Sequence, residues 1–207
     1  MTDVFLVQLP SPPRQNVFRE WSGGIGTSLP SDREGYGHDQ QYYDIPFSSF
    51  LYIASSLRQR SIAFDYIDYQ SNPSFDEDGY LDLLQRKTPK ILMTVVNLPS
   101  FNGDLALLRK AREILPELQV VLIGPTAKWH KADLLRRGDA TIVMEAGEEM
   151  FVASNVEAML SDSTALRSCS VLREGKVETV FPEQPMGDIS FIDFPAYDLL
   201  DFSRYVS

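Results

Sequence analysis

Cysteine is nearly absent: Cys169 is the one thiol in 207 residues, and histidine occurs only at His38 and His130. A lone thiol excludes an intrachain disulfide, a Cys-rich zinc site and the three-thiolate set that holds an iron-sulfur cluster. Two histidines exclude a multi-His centre, and no metal ligand is predicted. Positive charge is scarce too. Lys and Arg number 19 against 29 Asp and Glu, a formal charge of −10, with no basic cluster. Such a chain lacks the footprint that phosphate backbones and anionic lipids require, so neither nucleic acid nor a membrane is an expected partner. Long apolar runs are missing: Ile91 to Val96 is interrupted by Thr94 and falls far short of the about 20 residues that span a bilayer. No basic segment precedes Val4 to Val7 and Pro10 ends that run, so no secretory signal is expected and the cytoplasm is the default compartment.

What is present is alternation. Val4 to Leu9 reads as a strand closed by Pro10-Ser11-Pro12-Pro13. Residues 11 to 45 carry Gly, Pro, Ser, Asp and aromatics without periodicity, which predicts a long loop that is functional or disordered. Pro46 suits a helix start, and Phe50, Leu51, Ala54 and Leu57 recur on one helical face. Ile62 to Tyr69 is the next strand, Asn72-Pro73-Ser74 its exit, and Phe75 to Gln85 a helix. Lys90 to Val96 and Gln119 to Ile123 are buried-type strands, separated by a helix striped with Leu105, Leu108, Ala111, Ile114 and Leu115. A short helix around Lys131 to Arg137, a strand over Ala140 to Met144 and a helix through Val152, Val156 and Met159 follow. Arg173-Glu174-Gly175-Lys176 marks a hairpin between two β-rich runs. Strands alternating with helices predict an α/β, doubly wound, flavodoxin-like (Rossmann-like) fold: a five-stranded parallel sheet with an appended β-hairpin and a C-terminal linker tail. The expected divisions are 1–165, holding the long loop 11–45, then 166–182 for the hairpin and 183–207 for the linker.

In such a sheet, ligands sit outside the carboxyl ends of the strands. The exits there are small, Pro-rich and hydroxylated: Leu9-Pro10-Ser11, Asn97-Leu98-Pro99-Ser100 and Gly124-Pro125-Thr126. They suit a large flat ligand or a nucleotide tail approaching the backbone closely. Other chemistries fail on residue type. A phosphoryl-receiver site needs acids where Gln8 and Asn97 stand and a Lys where Glu145 stands. Gly23-Gly24-Ile25-Gly26 lies inside the long loop, without the strand-to-helix context of a phosphate cradle, and reads as loop flexibility. No nucleophile-elbow motif presents a serine. Glu145, Glu148 and Glu149 suit a helix N-terminus, His130 reads as a surface residue, and a His38 ligand is not predicted. Trp21, Tyr36, Tyr42 and Tyr43 either pack on a planar ligand or form the loop's own small core.

The order of these pieces resembles the N-terminal cobalamin-binding domain of the cobalamin-dependent radical SAM enzymes. The likeness rests on Leu9-Pro10-x-Pro12, on Pro46 with Leu51, Ile53, Ala54 and Leu57, on Ile123-Gly124-Pro125-Thr126, and on Val143 to Glu149, which looks like that family's G-E-G-E segment. It extends to the tail Asp193 to Leu200 and Tyr205, similar to the linker before the family's barrel. This chain has Gly124-Pro125 where the family commonly has Gly-Gly, and Glu145 at the first Gly of G-E-G-E. The resemblance implies that cobalamin is the cofactor. Leu9, Pro10 and Ser11 with Asn97, Leu98, Pro99 and Ser100 would border the lower face of the corrin. Gly124, Pro125 and Thr126 would admit the nucleotide tail, flanked by Ala146, Gly147 and Glu148, and a bulky residue at Gly124 would abolish binding without unfolding the sheet. The resemblance further implies a parent enzyme in which a radical SAM barrel, with its iron-sulfur cluster and SAM, completes the site, methyl transfer being the expected reaction. Without cluster cysteines the chain is expected to be a non-catalytic fragment of it. Two alternatives stand beside this reading, a flavodoxin-like nucleotide-binding module and a degenerate interaction domain.

Overall fold

A computed structural model describes residues 2–13, 15–30, 46–68, 75–145, 148–181 and 193–204. The chain runs β1 (Val4–Val7), β2 (Gln15–Phe18), β3 (Thr27–Pro30), α1 (Ser48–Gln59), β4 (Phe64–Ile67), α2 (Glu77–Lys87) and β5 (Ile91–Val95). It continues through α3 (Phe101–Ile114), β6 (Gln119–Ile123), α4 (Pro125–Arg136), β7 (Ile142–Met144), α5 (Glu148–Leu160), β8 (Cys169–Arg173) and β9 (Lys176–Val180). The main sheet has the order β4-β1-β5-β6-β7-β8-β9. Its first five strands are parallel, and β8 and β9 extend the β7 edge antiparallel. This is the flavodoxin-like order, and the expected hairpin is a continuation of the same sheet. Glu174 and Gly175 both take positive φ at its tip, as a tight two-residue hairpin turn requires.

Each parallel strand alternates its side chains between two cores. Val4, Leu6, Met93, Val95, Val121, Ile123 and Met144 meet Phe50, Ile53 and Leu57 of α1 and Val152 and Val156 of α5. Phe5, Val7, Leu92, Val120, Leu122 and Val143 meet Tyr80 and Leu84 of α2, Leu108 of α3, and Leu134 and Leu135 of α4. Burying each such side chain contributes about 1.5–3 kcal/mol, so the central strands need no polar face. Local signals set the helix ends. Asp76 caps α2 by accepting from the Gly79 amide at 2.9 Å, with Glu77 and Asp78 in the first turn and Arg86 and Lys87 in the last.

Three expectations change. Part of the long loop is structured: β2 and β3 pair antiparallel with each other, Val17 opposite Ser28 and Phe18 opposite Thr27. These strands are four residues long, pair with no sheet strand and end in Pro30, so they carry little periodic signal. The helix expected around Lys131 begins at Pro125, because Pro fits a first helical position, and Thr126 is therefore helical. His130 is half-buried with its ring 4.7 Å from that of Phe101, rather than on the open surface. Within the expected linker, Ala196 and Leu200 pack into the fold, and the Ala196 amide donates to the Leu51 carbonyl of α1 at 3.1 Å. No helix of the described residues is long and apolar enough to cross a membrane.

Candidate functional site

The carboxyl ends of β1, β5 and β6 are crossed by residues 15–30, which form a strap made of β2, a turn over Trp21–Gly24 and β3. Arg19 fastens it. Its guanidinium is 1% exposed and Nη2 donates to the Leu9 carbonyl at 2.9 Å, while Nη1 reaches the Val95 carbonyl at 3.4 Å and Asn97 Oδ1 at 2.9 Å. Both oxygens of Asp104, in the first turn of α3 and fully buried, accept from Arg19 at 2.9 and 3.0 Å. Asp104 also accepts from the Asn97 amide at 3.1 Å and from Ser100 Oγ at 2.8 Å. With the guanidinium's donors and both carboxylate oxygens engaged, hydrogen bonds offset much of the penalty of burying this charge, and removing one partner costs about 3–5 kcal/mol.

The strap closes down on the strand exits at several points. Asn97 Nδ2 donates to the carbonyls of Arg19 at 3.2 Å and Gly24 at 2.9 Å, and the Leu98 amide donates to the Ile25 carbonyl at 3.0 Å. Ser11 Oγ accepts from the Val17 amide at 2.9 Å. Gly26 has φ +87, and a Cβ there would come 2.8 Å from Asn97 Nδ2. At Gly24 a Cβ would come 3.3 Å from Pro125 Cδ. The glycine run expected to supply flexibility is thus a place of close approach, where a side chain would hold the strap off the sheet.

The structure places the predicted site residues in two groups. Leu9, Pro10, Asn97, Ser100 and Thr126 are buried, and Ser11 is half-buried under the strap. Leu98 is 54% exposed, and Pro99, Gly124 and Pro125 are half-buried beside it at the β5 and β6 exits. Ala146 and Gly147 lie outside the described residues, as do Tyr36, His38, Tyr42, Tyr43 and Asn72-Pro73-Ser74; Glu148 opens α5. Gly124 combines φ +90 with ψ 167, and an added Cβ would lie 3.1 Å from Val95 Cγ2. A side chain there strains the fold by about 1–3 kcal/mol, so a substitution at Gly124 carries a stability cost beside any effect at the edge.

Among the described residues, the Gln8 amide and Thr126 Oγ1 are buried at this edge with no hydrogen-bond partner. Unpaired buried polar atoms at strand exits are the kind of group a ligand satisfies. Glu20, next to Arg19, accepts from the Ser48 amide at 2.6 Å and Ser48 Oγ at 3.2 Å, capping α1 from the strap. Burial raises its pKa above the ordinary carboxyl value; the Ser48 donors oppose that, and the carboxylates of Glu149 and Asp68 reinforce it. Glu145 turns away from the edge. Its carboxylate accepts from Lys131 Nζ at 2.6 Å and from Ser170 Oγ, tying the β7 exit to α4 and the terminal hairpin. Among the described residues no three His, Cys, Asp or Glu side chains gather to hold a metal.

Sequence reasoning missed Arg19, Glu20 and Asp104. Asp104 leaves a signal: it lies in register with Leu108 and Ala111 on the buried stripe of α3, where an acid needs a buried cation. Arg19, directly after the apolar pair Val17-Phe18, is the matching cation.

Fold and edge together define an open, doubly wound α/β domain whose ligand edge is strapped over. No protein-family model matches the sequence, and no curated protein matches it. Among solved structures, the fold is shared with cobalamin-dependent radical SAM enzymes. OxsB, a cobalamin-dependent S-adenosylmethionine radical enzyme solved with aqua-cobalamin bound, matches with TM-score 0.65 and 13% identity over 76% of this chain and 22% of that one. TsrM, a radical S-adenosylmethionine methyltransferase from Kitasatospora setae solved with cobalamin and a 4Fe-4S cluster, matches with TM-score 0.61 and 10% identity over 97% of this chain and 34% of that one. The chain thus spans between 22% and 34% of the length of these enzymes.

Proposed function

We propose that this chain is a cobalamin-binding domain, 1–165 with the hairpin 166–182, that serves a radical SAM methyltransferase in the cytoplasm. The observation that carries the reading is the β5–β6 edge. There Leu98, Pro99, Gly124 and Pro125 are accessible at the carboxyl ends of the strands, with the unpaired Thr126 hydroxyl behind them. Small and apolar groups backed by an unsatisfied donor fit a flat macrocycle with a polar nucleotide tail. The same fold occurs in enzymes solved with cobalamin bound, which supports the assignment.

In this reading Leu98, Pro99 and Pro125 touch the corrin, Gly124 to Thr126 receive the nucleotide tail, and Ala146, Gly147 and Glu148 flank it. Leu9, Pro10, Ser11, Asn97 and Ser100 act from beneath, by holding the exits in shape. Cobalamin supplies a transferable methyl group when bound. With one cysteine, the chain's own residues cannot hold the iron-sulfur cluster on which SAM is cleaved, so cluster and SAM belong to a barrel reached through the linker 183–207. The test is a calorimetric and spectroscopic titration with hydroxocobalamin and methylcobalamin. Saturable binding near one per chain is expected. No binding at high micromolar corrin overturns the proposal, and saturable binding of a flavin instead replaces it with a flavodoxin-like module.

A further inference from the structure

Several of the polar groups that the β1 and β5 exits would offer to a ligand are already taken by the strap: the Leu9 and Val95 carbonyls and the whole Asn97 side chain. What remains accessible is flush with it. The Leu98 amide bonds to the strap at Ile25, and Pro125 stands so close to Gly24 that a Cβ there would lie 3.3 Å from Pro125 Cδ. Ser22 and Gly23, at the strap's turn, face solvent, and nothing lies within 4 Å of where a Gly23 Cβ would be. The Ser22–Gly24 turn, Leu98 and Pro125 thereby make one surface of small and apolar groups.

We propose that the strap is the fixed floor of the cofactor site, not a lid over it, and that Arg19 is the positioning residue that fixes the floor. The inference rests on the cobalamin reading above and adds which surface the macrocycle lies on. A lid must leave the exits easily. Arg19 is fully engaged with a buried carboxylate, two carbonyls and an amide oxygen, so release strips all of these partners together. The surface a ligand meets is then the outer face of the strap, and its flatness depends on how closely Gly24 and Gly26 let the strap approach the sheet.

Two variants test this. Gly26→Ala lifts the strap off Asn97 without unpairing a buried charge, and Arg19→Met removes the fastening directly; if the second fails to fold, the first carries the test. Hydrogen exchange of the strap amides, exchange of β5 and β6, and the dissociation constant for hydroxocobalamin are measured on each. Expected are strap exchange and dissociation constant both raised at least about tenfold, with β5 and β6 protection kept. A loosened strap with unchanged affinity overturns the floor and leaves the cofactor reading standing. Tighter binding on loosening makes the strap a lid and overturns the proposal. Unchanged strap exchange in a folded Arg19→Met removes the positioning role. Wild-type protein that binds no cobalamin overturns the cofactor reading and this inference together.

Discussion

Arg19 and Glu20 are neighbours in sequence whose charges go to opposite sides of the sheet, one to Asp104 at α3 and the other to Ser48 at α1. The second of these gives the fold a pH dependence. Because burial raises the Glu20 pKa, the folded state holds its proton over a window just above the ordinary carboxyl value, where the unfolded chain has lost it. Stability from this site therefore falls as pH rises through that window. Glu20→Gln keeps an oxygen to accept from the Ser48 amide and has no charge to lose. Its melting temperature is expected to change less than that of the wild type between about pH 5 and about pH 7. A steeper change in the variant would contradict the assignment. These side chains show how far single residues are legible. Asp104 stands out by register, whereas Glu20 caps α1 from 28 positions away, and no local pattern announces a cap supplied across a loop.

At the scale of elements, α1, α2, α3, α5 and the central strands were legible because each buries a periodic apolar face, or both faces, against a neighbour, whereas the first half of α4 reads as a loop in the sequence. The strap was not, since β2 buries Val17 and Phe18 side by side rather than as a periodic stripe, and the buried Arg19–Asp104 ion pair and amide contacts complete its attachment. The terminal hairpin was readable from its turn, but what joins it to α4 was not. Lys131 Nζ reaches Glu145 at 2.6 Å and Thr179 Oγ1 of β9 at 3.4 Å, and Ser170 and Thr179 share a hydrogen bond of 2.7 Å. Lys131→Ala leaves the largely buried Glu145 carboxylate without its cation, a loss of about 1.5–3 kcal/mol. Amide exchange in β9 is expected to quicken at least about tenfold, with β5 unaffected and with Lys131→Arg retaining most of the protection. Equal protection in wild type and Lys131→Ala would mean that the hairpin is held by its strand pairing alone.

For the whole molecule, Cys169 reports on global opening. It is fully buried in the core between the sheet and the α1 and α5 layer, and burial pushes its thiol up to about 11. Near pH 8 about one such thiol in a thousand is ionised, so native protein should resist thiol reagents and label only as denaturant opens the core. Stoichiometric labelling of native protein within minutes would show that the β8 side of the sheet opens on its own. The overall α/β order, by contrast, follows from alternation, and the place of a ligand edge follows from that order. What occupies the edge depends on long-range pairing, and that is where the sequence stops being a guide.

That pairing also decides when the strap can lock. Arg19 finds Val95, Asn97 and Asp104 at separations of 76, 78 and 85 residues, so its partners come together only after β1, β5 and α3 are in place. The loop entropy of such a closure is paid before its bonds form, so the strap is expected to lock late on the folding route, with Arg19→Met speeding unfolding far more than it slows folding. Interactions made after the transition state slow unfolding and leave the folding rate nearly untouched. The Arg19–Asp104 pair is then a source of kinetic persistence: it keeps the assembled sheet from coming apart more than it helps the sheet to form.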